Sequence, residues 1–129
     1  MPTVMVVDDA DGARRTLVRL LRREGYEAVE AADGRQVLDD LARPDGHAPD
    51  LILLDVAMPG LDGLELLEML HAHPQWRSIP VVMLTGVSDT HTVHRAEQLG
   101  AKEYWVKATF SVGQMLDAVR KYTTHTPPH

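Results

Sequence analysis

The stretch LILLDVAMPG, residues 51–60, runs through four consecutive aliphatic residues and then reaches a carboxylate, Asp55. A strand that is apolar at every position is buried on both faces, which is typical of the inside of a parallel sheet. The following Met58-Pro59-Gly60 predicts a turn, since proline presets φ and Gly60 or Gly63 permits positive φ. The stretch therefore predicts a central strand whose carboxyl end presents an acid.

Four further apolar runs alternate with segments of helical periodicity. We predict strands at 3–7, 26–31, 50–56, 79–86 and 102–107, and helices at 11–25, 33–42, 63–73, 88–100 and 111–122. This alternation predicts a parallel sheet with helices on both faces. The second strand is half polar and the fifth carries charges, so both are expected at edges. The result is one α/β domain, residues 1–122, with a five-stranded sheet of order 2-1-3-4-5 and the flavodoxin-like, doubly wound (βα)5 fold. Residues 123–129 are expected to form a polar tail.

The first predicted helix, DGARRTLVRLLRREG, is amphipathic. We expect Ala13, Leu17, Leu20 and Leu21 on the face toward the sheet and the arginines in solvent. Gly25 is expected just after the helix, where a left-handed residue is favourable. The residues expected to cap later helices are Asp33, Ser88 or Asp89, and Ser111.

Composition restricts the classes of function. The 129 residues carry a net charge of −6, which argues against direct binding of nucleic acid or anionic membranes through bulk charge. There is no cysteine, so neither a disulfide nor a thiolate metal site can form. The N-terminal MPTVMVVDDA lacks the pattern of a secretion signal, and no apolar run approaches the length of a membrane span. We expect a cytoplasmic protein.

Five polar side chains are expected at the carboxyl ends of the strands. Asp8 and Asp9 follow the first strand and Asp55 follows the third, while Thr85 and Lys107 end the fourth and fifth. Ligands of such sheets bind beyond these strand ends. The sequence therefore predicts that three carboxylates, one hydroxyl and one ammonium converge at one edge of the sheet.

This set of residues indicates metal-assisted phosphoryl chemistry. Closely spaced carboxylates repel one another, and hard oxygen ligands favour Mg²⁺, or Mn²⁺ in its place. Phosphoryl transfer depends mainly on charge neutralisation and positioning, which these groups can supply. Because no serine or cysteine lies at the centre, the expected nucleophile is a carboxylate, and Asp55 has the central position.

The chain closely resembles the receiver domain of response regulators in two-component signalling (CheY-like) over about residues 3–122. The motifs that carry the resemblance are Asp8-Asp9, Asp55 in LLDVAMPGLDG, Thr85 in PVVMLTG and Lys107 after GAKEYWV. The resemblance implies that Asp55 takes a phosphoryl group from the phosphohistidine of a sensor histidine kinase or phosphotransfer protein. It implies a signalling phosphoacceptor with self-catalysed phosphorylation and dephosphorylation, and not an enzyme acting on a separate substrate.

The resemblance also implies roles for individual residues. Asp9 and Asp55 would bind Mg²⁺ directly, Asp8 mainly through water, and Ala57 through its backbone carbonyl. Lys107 and Thr85 would contact phosphoryl oxygens. Tyr104 matches the switch aromatic of the family, which turns inward as the threonine moves. The face formed by helix 4, strand 5 and helix 5 would then change its preference for a downstream protein or a second copy.

One position departs from the family pattern: Ala108 follows Lys107, where the family usually has a proline joined through a cis bond. A cis bond before a residue other than proline costs about 2.5–4 kcal/mol, so we predict a trans bond. This departure leaves open a receiver that no longer takes phosphate and acts as a protein-interaction module. A phosphatase or phosphotransferase acting on small substrates would resemble DxDxT at the strand end, whereas this chain has DVAMP from Asp55. A flavin-binding module would need a hydroxyl- and glycine-rich loop after strand 1, whereas this chain has two carboxylates there.

Overall fold

The computed structural model describes residues 1–46 and 48–123 and contains five strands alternating with five helices. The strands are β1 (Thr3–Val7), β2 (Glu27–Ala31), β3 (Leu51–Leu54), β4 (Val81–Thr85) and β5 (Glu103–Val106). The helices are α1 (Asp11–Arg23), α2 (Gly34–Leu41), α3 (Gly63–Ala72), α4 (Thr90–Gln98) and α5 (Val112–Thr123). Every predicted element is present, and the strands are shorter than predicted except β1.

The sheet is parallel and its order is β2-β1-β3-β4-β5, as predicted. Strands β3 and β4 are buried along their whole length, and β1 is buried at all but its first position, whereas no residue of the edge strand β5 is fully buried. In the register, Val7 lies opposite both Ala31 and Leu54. The carboxyl ends of the first three strands of the order are therefore level with one another.

Two apolar clusters cover the two faces of the sheet. One packs α2, α3 and α4 against side chains such as Ile52, Leu54 and Met83. The other packs α1 and α5 against alternate residues of the same strands, such as Val6 and Leu53. Burial on both faces holds the central strands, so the residues directly after them occupy defined positions.

The prediction for the inner face of α1 was wrong at two positions. Ala13 is exposed, and Arg14 is buried together with Leu17, Val18 and Leu21. Positions 14, 17, 18 and 21 follow the spacing of one helical face. An arginine occupies this face because its guanidinium donates hydrogen bonds to three acceptors on Asp8, Asp11 and Glu30.

The predicted helix ends are confirmed with small changes. Gly25 has a φ of 92° and follows α1, while Asp33 caps α2 by accepting a hydrogen bond from the Gln36 amide. The cap of α4 is Asp89 rather than Ser88, and Ser111 exchanges two hydrogen bonds with Gln114 at the start of α5.

At the C-terminal end, α5 includes Thr123, which we predicted as the first residue of the tail. Its hydroxyl donates to the carbonyl of Val119, and the residue is buried. Residues 124–129 of the predicted tail lie outside the described residues. No helix in the described part of the chain is both long enough and apolar enough to cross a membrane.

Candidate functional site

Backbone hydrogen bonds deliver three of the predicted residues to one edge of the sheet. The amide of Asp8 donates to the carbonyl of Ala31, and the amide of Asp55 donates to that of Val7. The amide of Lys107 likewise donates to the carbonyl of Thr85. Each residue lies one position beyond its strand but still belongs to the hydrogen-bond ladder. Their side chains therefore start from backbone positions set by the sheet.

The side chains of these residues meet. The ammonium of Lys107 lies 2.6 Å from Oδ2 of Asp8 and 3.2 Å from Oδ2 of Asp55. Oδ1 of Asp8 accepts from the amide of Ala10 at 2.9 Å. Asp8 and Asp55 are 2% and 6% exposed, so these are carboxylates largely removed from water.

Asp9 completes a cluster of acids. One carboxylate oxygen from each of Asp8, Asp9 and Asp55 lies within 4.8 Å of the other two. Asp9 is exposed, whereas Asp8 and Asp55 are buried. Among the described residues, Lys107 is the only cation that bonds to this cluster, through Asp8 and Asp55, so three carboxylates face one positive charge. Burial lowers the pKa of Lys107, but the hydrogen bond to Asp8 and the charges of Asp55 and Asp8 outweigh it. The net effect raises the pKa of Lys107, so the side chain is an ammonium at neutral pH.

The residues fit a divalent cation. Oδ1 of Asp55 is buried and has no hydrogen-bond partner among the described residues. A buried carboxylate oxygen without a partner costs free energy unless a cation or another group binds it. The donors are all oxygens, which is the ligand set of Mg²⁺ or Mn²⁺. Ala57, the fourth predicted ligand, is exposed two residues after Asp55, and the contact of its carbonyl with a metal stays a prediction.

The segment after Asp55 is shaped by two glycines with different roles. Gly60 has a φ of 73° and supplies the left-handed residue of the turn. Gly63 has no positive φ, but a Cβ atom there would overlap the carbonyl oxygen of Asp55. Its amide donates to the carbonyl of Val56. The start of α3 can therefore approach the backbone of Asp55 only because residue 63 has no side chain.

Thr85 and Tyr104 are connected through one residue, Val87. The amide of Val87 donates to Oγ1 of Thr85 at 3.3 Å, and the hydroxyl of Tyr104 donates to the carbonyl of Val87 at 2.6 Å. Thr85 is fully buried. Burial, and then the charges of Asp89 and Asp55, raise the pKa of Tyr104, so the phenol stays neutral and remains a donor. The two predicted switch residues thus share a hydrogen-bonded path.

The turn after β5 positions Lys107 without a proline. No peptide bond among the described residues is cis, so the predicted trans bond between Lys107 and Ala108 is confirmed. The carbonyl of Val106 accepts hydrogen bonds from the amides of both Thr109 and Phe110. This turn and the ladder bond to Thr85 direct the Lys107 side chain toward the carboxylates.

Arg14 is the residue near the site that our sequence reasoning missed. Its guanidinium donates to the carbonyl of Asp8 at 2.8 Å, to Oδ1 of Asp11 at 2.8 Å and to Oε1 of Glu30 at 3.0 Å. Burial lowers the pKa of Arg14, and the bonds to Asp11 and Glu30 more than restore it. The spacing of Arg14 with Leu17, Val18 and Leu21 was the sequence signal that could have identified it.

Comparison with known proteins agrees with this geometry. The family model of the response regulator receiver domain matches residues 4–120 of the chain. Sporulation initiation phosphotransferase F of Bacillus subtilis is 34% identical over 119 residues, which are 92% of this chain and 91% of that protein. The polar-differentiation response regulator DivK of Brucella anthropi is 32% identical over 120 residues, 93% of this chain and 94% of that protein. The transcriptional regulatory protein PdtaR of Mycobacterium tuberculosis is 38% identical over 117 residues, and the chain spans about half of its length, 54%.

Solved structures show the same relationship. The signal receiver domain of a signal transduction histidine kinase from Syntrophus aciditrophicus has a TM-score of 0.86 and 28% identity, covering 100% of this chain and 98% of that chain. The chemotaxis protein CheY4 of Vibrio cholerae has a TM-score of 0.82 and 29% identity, covering 95% of this chain and 98% of that chain. The protein described here belongs to the response regulator receiver domain family of two-component signalling.

Proposed function

We propose that this receiver domain accepts a phosphoryl group on Asp55 from the phosphohistidine of a sensor histidine kinase or a phosphotransfer protein. The observation that carries the proposal is the environment of Asp55. Its Oδ1 is buried and without a partner, its Oδ2 lies 3.2 Å from the Lys107 ammonium, and two further acids lie beside it. A structural carboxylate in this position would have both oxygens satisfied.

The transfer exchanges one bond for another. An oxygen of Asp55 attacks phosphorus and forms the O–P bond of an acyl phosphate while the P–N bond to histidine breaks. The electron pair of the P–N bond goes to the imidazole nitrogen, and the imidazole leaves neutral when its second nitrogen carries a proton. Water later attacks the acyl phosphate and regenerates the carboxylate with release of inorganic phosphate. In this proposal the domain acts on its own side chain, and it stays a prediction that it is not an enzyme with a separate substrate.

The acidic residues have different tasks in binding Mg²⁺ or Mn²⁺. Both oxygens of Asp8 already have protein partners, Ala10 and Lys107, which favours contact with the metal through water. Asp9 is exposed and Asp55 has a free oxygen, which favours direct contact by these two, with the Ala57 carbonyl as a further ligand. A bound divalent ion supplies neutralisation of the charge shared by the carboxylates and the phosphoryl oxygens.

Lys107 and Thr85 respond to the new group. Phosphorylation adds about 1.5 to 2 negative charges and three acceptor oxygens. The Lys107 ammonium is held by two carboxylate oxygens and can move to contact the phosphoryl oxygens when Asp55 is phosphorylated. The Thr85 hydroxyl serves as a second donor, and its displacement acts on Val87 and, through the Val87 carbonyl, on Tyr104.

The proposed output is a change in the face formed by α4, β5 and α5. Tyr104 lies on β5, and Val87 lies in the segment that leads into α4. A shift of the hydrogen bond between Tyr104 and Val87 changes the packing of α4 against β5. A face with two alternative arrangements can prefer a different downstream protein, or a second copy of the chain, in each arrangement. The cytoplasmic location and the absence of direct nucleic-acid binding stay predictions.

The test is incubation of the protein with acetyl phosphate and Mg²⁺, followed by intact mass measurement. We expect one added phosphoryl group on the wild type, none on Asp55→Asn, and none on the wild type when Mg²⁺ is removed by a chelator. Asp39→Asn, which changes an exposed acid of α2, is the matched control and should be phosphorylated normally.

Equal labelling of wild type and Asp55→Asn would overturn the assignment of Asp55. A folded wild type that takes up no phosphoryl group from acetyl phosphate or from a phosphorylated kinase would favour the alternative, a receiver that works only as an interaction module.

A further inference from the structure

We propose that Arg14 is a positioning residue for the acidic turn, the segment Asp8-Asp9-Ala10 between β1 and α1. Its guanidinium holds the carbonyl of Asp8 and thereby sets the direction in which Asp8 and Asp9 present their carboxylates to a divalent cation. The inference rests on the proposed function of this site and extends it to a residue outside the predicted set.

The first support is the contact itself. Nη1 of Arg14 lies 2.8 Å from the carbonyl oxygen of Asp8, and this hydrogen bond is buried. The carbonyl belongs to the peptide unit that also contains the amide of Asp9, and that unit is planar. A donor that holds this carbonyl therefore fixes the orientation of the peptide from which the Asp9 side chain starts.

The second support is the fixed position of the guanidinium. All three of its nitrogens are engaged: Nε with Glu30 on β2, Nη2 with Asp11 at the start of α1, and Nη1 with Asp8. The Arg14 side chain is 9% exposed, while the side chains of Glu30 and Asp11 are 36% and 66% exposed. A planar group held at three points by its rigid fork has little freedom to move. The contact with Asp8 is therefore anchored to both the edge strand and the first helix.

The third support is the difference between the two acids. Asp8 is held at four points, since its amide binds Ala31, its carbonyl binds Arg14, and its carboxylate binds Ala10 and Lys107. Asp9 is exposed, and among the described residues no hydrogen bond or ion pair of its carboxylate is found. The position of Asp9 thus depends on the backbone on either side of it, and Arg14 holds the peptide that precedes it.

The charge of Arg14 does not explain its place. Two acids, Asp11 and Glu30, already balance it, and its contact with Asp8 is with the neutral carbonyl and not with the carboxylate. Residues that orient metal ligands in this way typically contribute about 10–100-fold to metal affinity. The expected role is therefore geometric and should be visible in cation binding before any phosphorylation takes place.

The experiment is titration of the unphosphorylated full chain with MgCl₂ alone by isothermal titration calorimetry. We expect Arg14→Met, which keeps the length of the side chain and removes its donors, to weaken Mg²⁺ binding about 10-fold. Arg14→Lys keeps one donor and should recover part of the loss. Arg15→Met is the matched control, since it removes the exposed neighbouring arginine and should bind Mg²⁺ like the wild type.

A merely structural role is tested with two further measurements. Val119→Ala removes buried methyl groups from the apolar cluster that packs α1, so it destabilises the fold without touching the turn and should leave Mg²⁺ affinity unchanged. In the Asp9→Asn background, Arg14→Met should have much less than its usual effect, because the carboxylate it positions is gone. A loss of the same size in both backgrounds would overturn the proposal.

The outcomes separate the inference from the proposed function. If the wild type is phosphorylated on Asp55 and folded Arg14→Met binds Mg²⁺ as tightly as the wild type, only the role of Arg14 is wrong. A wild type that binds no Mg²⁺ contradicts the proposed function itself. If Arg14→Met does not fold, Glu30→Gln takes its place: it weakens the anchor of the guanidinium, and a normal Mg²⁺ affinity in this variant contradicts the proposal.

Discussion

Two clusters of charge meet at Asp8 and differ in what they leave unsatisfied. Around its carboxylate, Lys107 bonds to Asp8 and Asp55, with Asp9 close by. Around its carbonyl, Arg14 bonds to Asp11 and Glu30. Each cluster therefore has one cation with two acids bonded to it. The two clusters share Asp8, which contributes its carboxylate to one and its backbone carbonyl to the other.

The two clusters bury opposite partners. In the Lys107 cluster the bonded acids are buried, and one of their oxygens has no partner. In the Arg14 cluster the cation is buried, its nitrogens are all bonded, and the acids reach solvent. The contrast shows that the number of ion pairs says little about role. The Lys107 cluster, which has a carboxylate oxygen without a partner, is suited to binding a cation and a phosphoryl group. The Arg14 cluster, in which every guanidinium nitrogen is bonded, is suited to holding the Lys107 cluster in place.

Removal of each cation should give the largest effects. Without Mg²⁺, Lys107→Met leaves two buried carboxylates unpaired and should lower the free energy of unfolding by about 2–3 kcal/mol. Arg14→Met leaves acids that water can reach and one buried carbonyl without its donor, with an expected loss of about 1–2 kcal/mol. Chemical denaturation measures both.

Saturating Mg²⁺ distinguishes these two variants. It should shrink the deficit of Lys107→Met, since the ion supplies the missing positive charge, and it should not shrink the deficit of Arg14→Met. If Mg²⁺ shrank both deficits equally, the two clusters would not differ as described.

Substitution of one acid in each cluster should change stability in opposite directions. Asp9→Asn removes a negative charge that lies beside two other carboxylates and bonds to no cation among the described residues. Without Mg²⁺, the free energy of unfolding should therefore be on the order of 1 kcal/mol higher than in the wild type. Asp11→Asn removes a partner of Arg14 and should make unfolding easier, in line with the lowered pKa that the hydrogen bond from Arg14 gives Asp11. Thermal unfolding in a chelator measures the pair, and a fall in stability for Asp9→Asn would contradict the repulsive cluster.

Alkaline pH should produce the smallest difference. The pKa of Lys107 is raised above its ordinary value of 10.5, so its contribution to stability is complete below that value and is lost as pH rises through the raised pKa. The stability gap between wild type and Lys107→Met should therefore narrow at alkaline pH. The gap between wild type and Arg14→Met should stay constant, because arginine remains charged. Burial also raises the pKa values of Tyr104 and Tyr122, but both residues are common to all three proteins.

Much of the site could be predicted because of parallel topology. The segment LILLD, residues 51–55, predicts a strand inside the sheet, and the carboxyl ends of parallel strands meet at one edge. Asp8, Asp55, Thr85 and Lys107 could therefore be placed together even though Lys107 and Asp8 are 99 residues apart. The trans bond before Ala108 was equally predictable, because its cause is local: a residue other than proline rarely adopts cis.

The buried side of α1 was not predictable in the same way. Arg14 has the spacing of a core residue but the charge of a surface residue, and charge decided our prediction. Its burial depends on Glu30, 16 residues away on another strand, and on the carbonyl of Asp8 at the end of β1. A helix considered alone contains neither acceptor.

The sequence by itself determined the order of the elements, the buried strands and the residues that follow them. Hydrophobic periodicity is visible in short stretches of chain, and strands that alternate with helices must pair in parallel. Only the tertiary structure decided which oxygen of Asp55 lacks a partner, how Thr85 and Tyr104 are joined through Val87, and why an arginine is buried beneath the acidic turn. Each of these depends on groups from separate strands and helices whose distances are set by packing, and no single stretch of sequence contains both partners of such a contact.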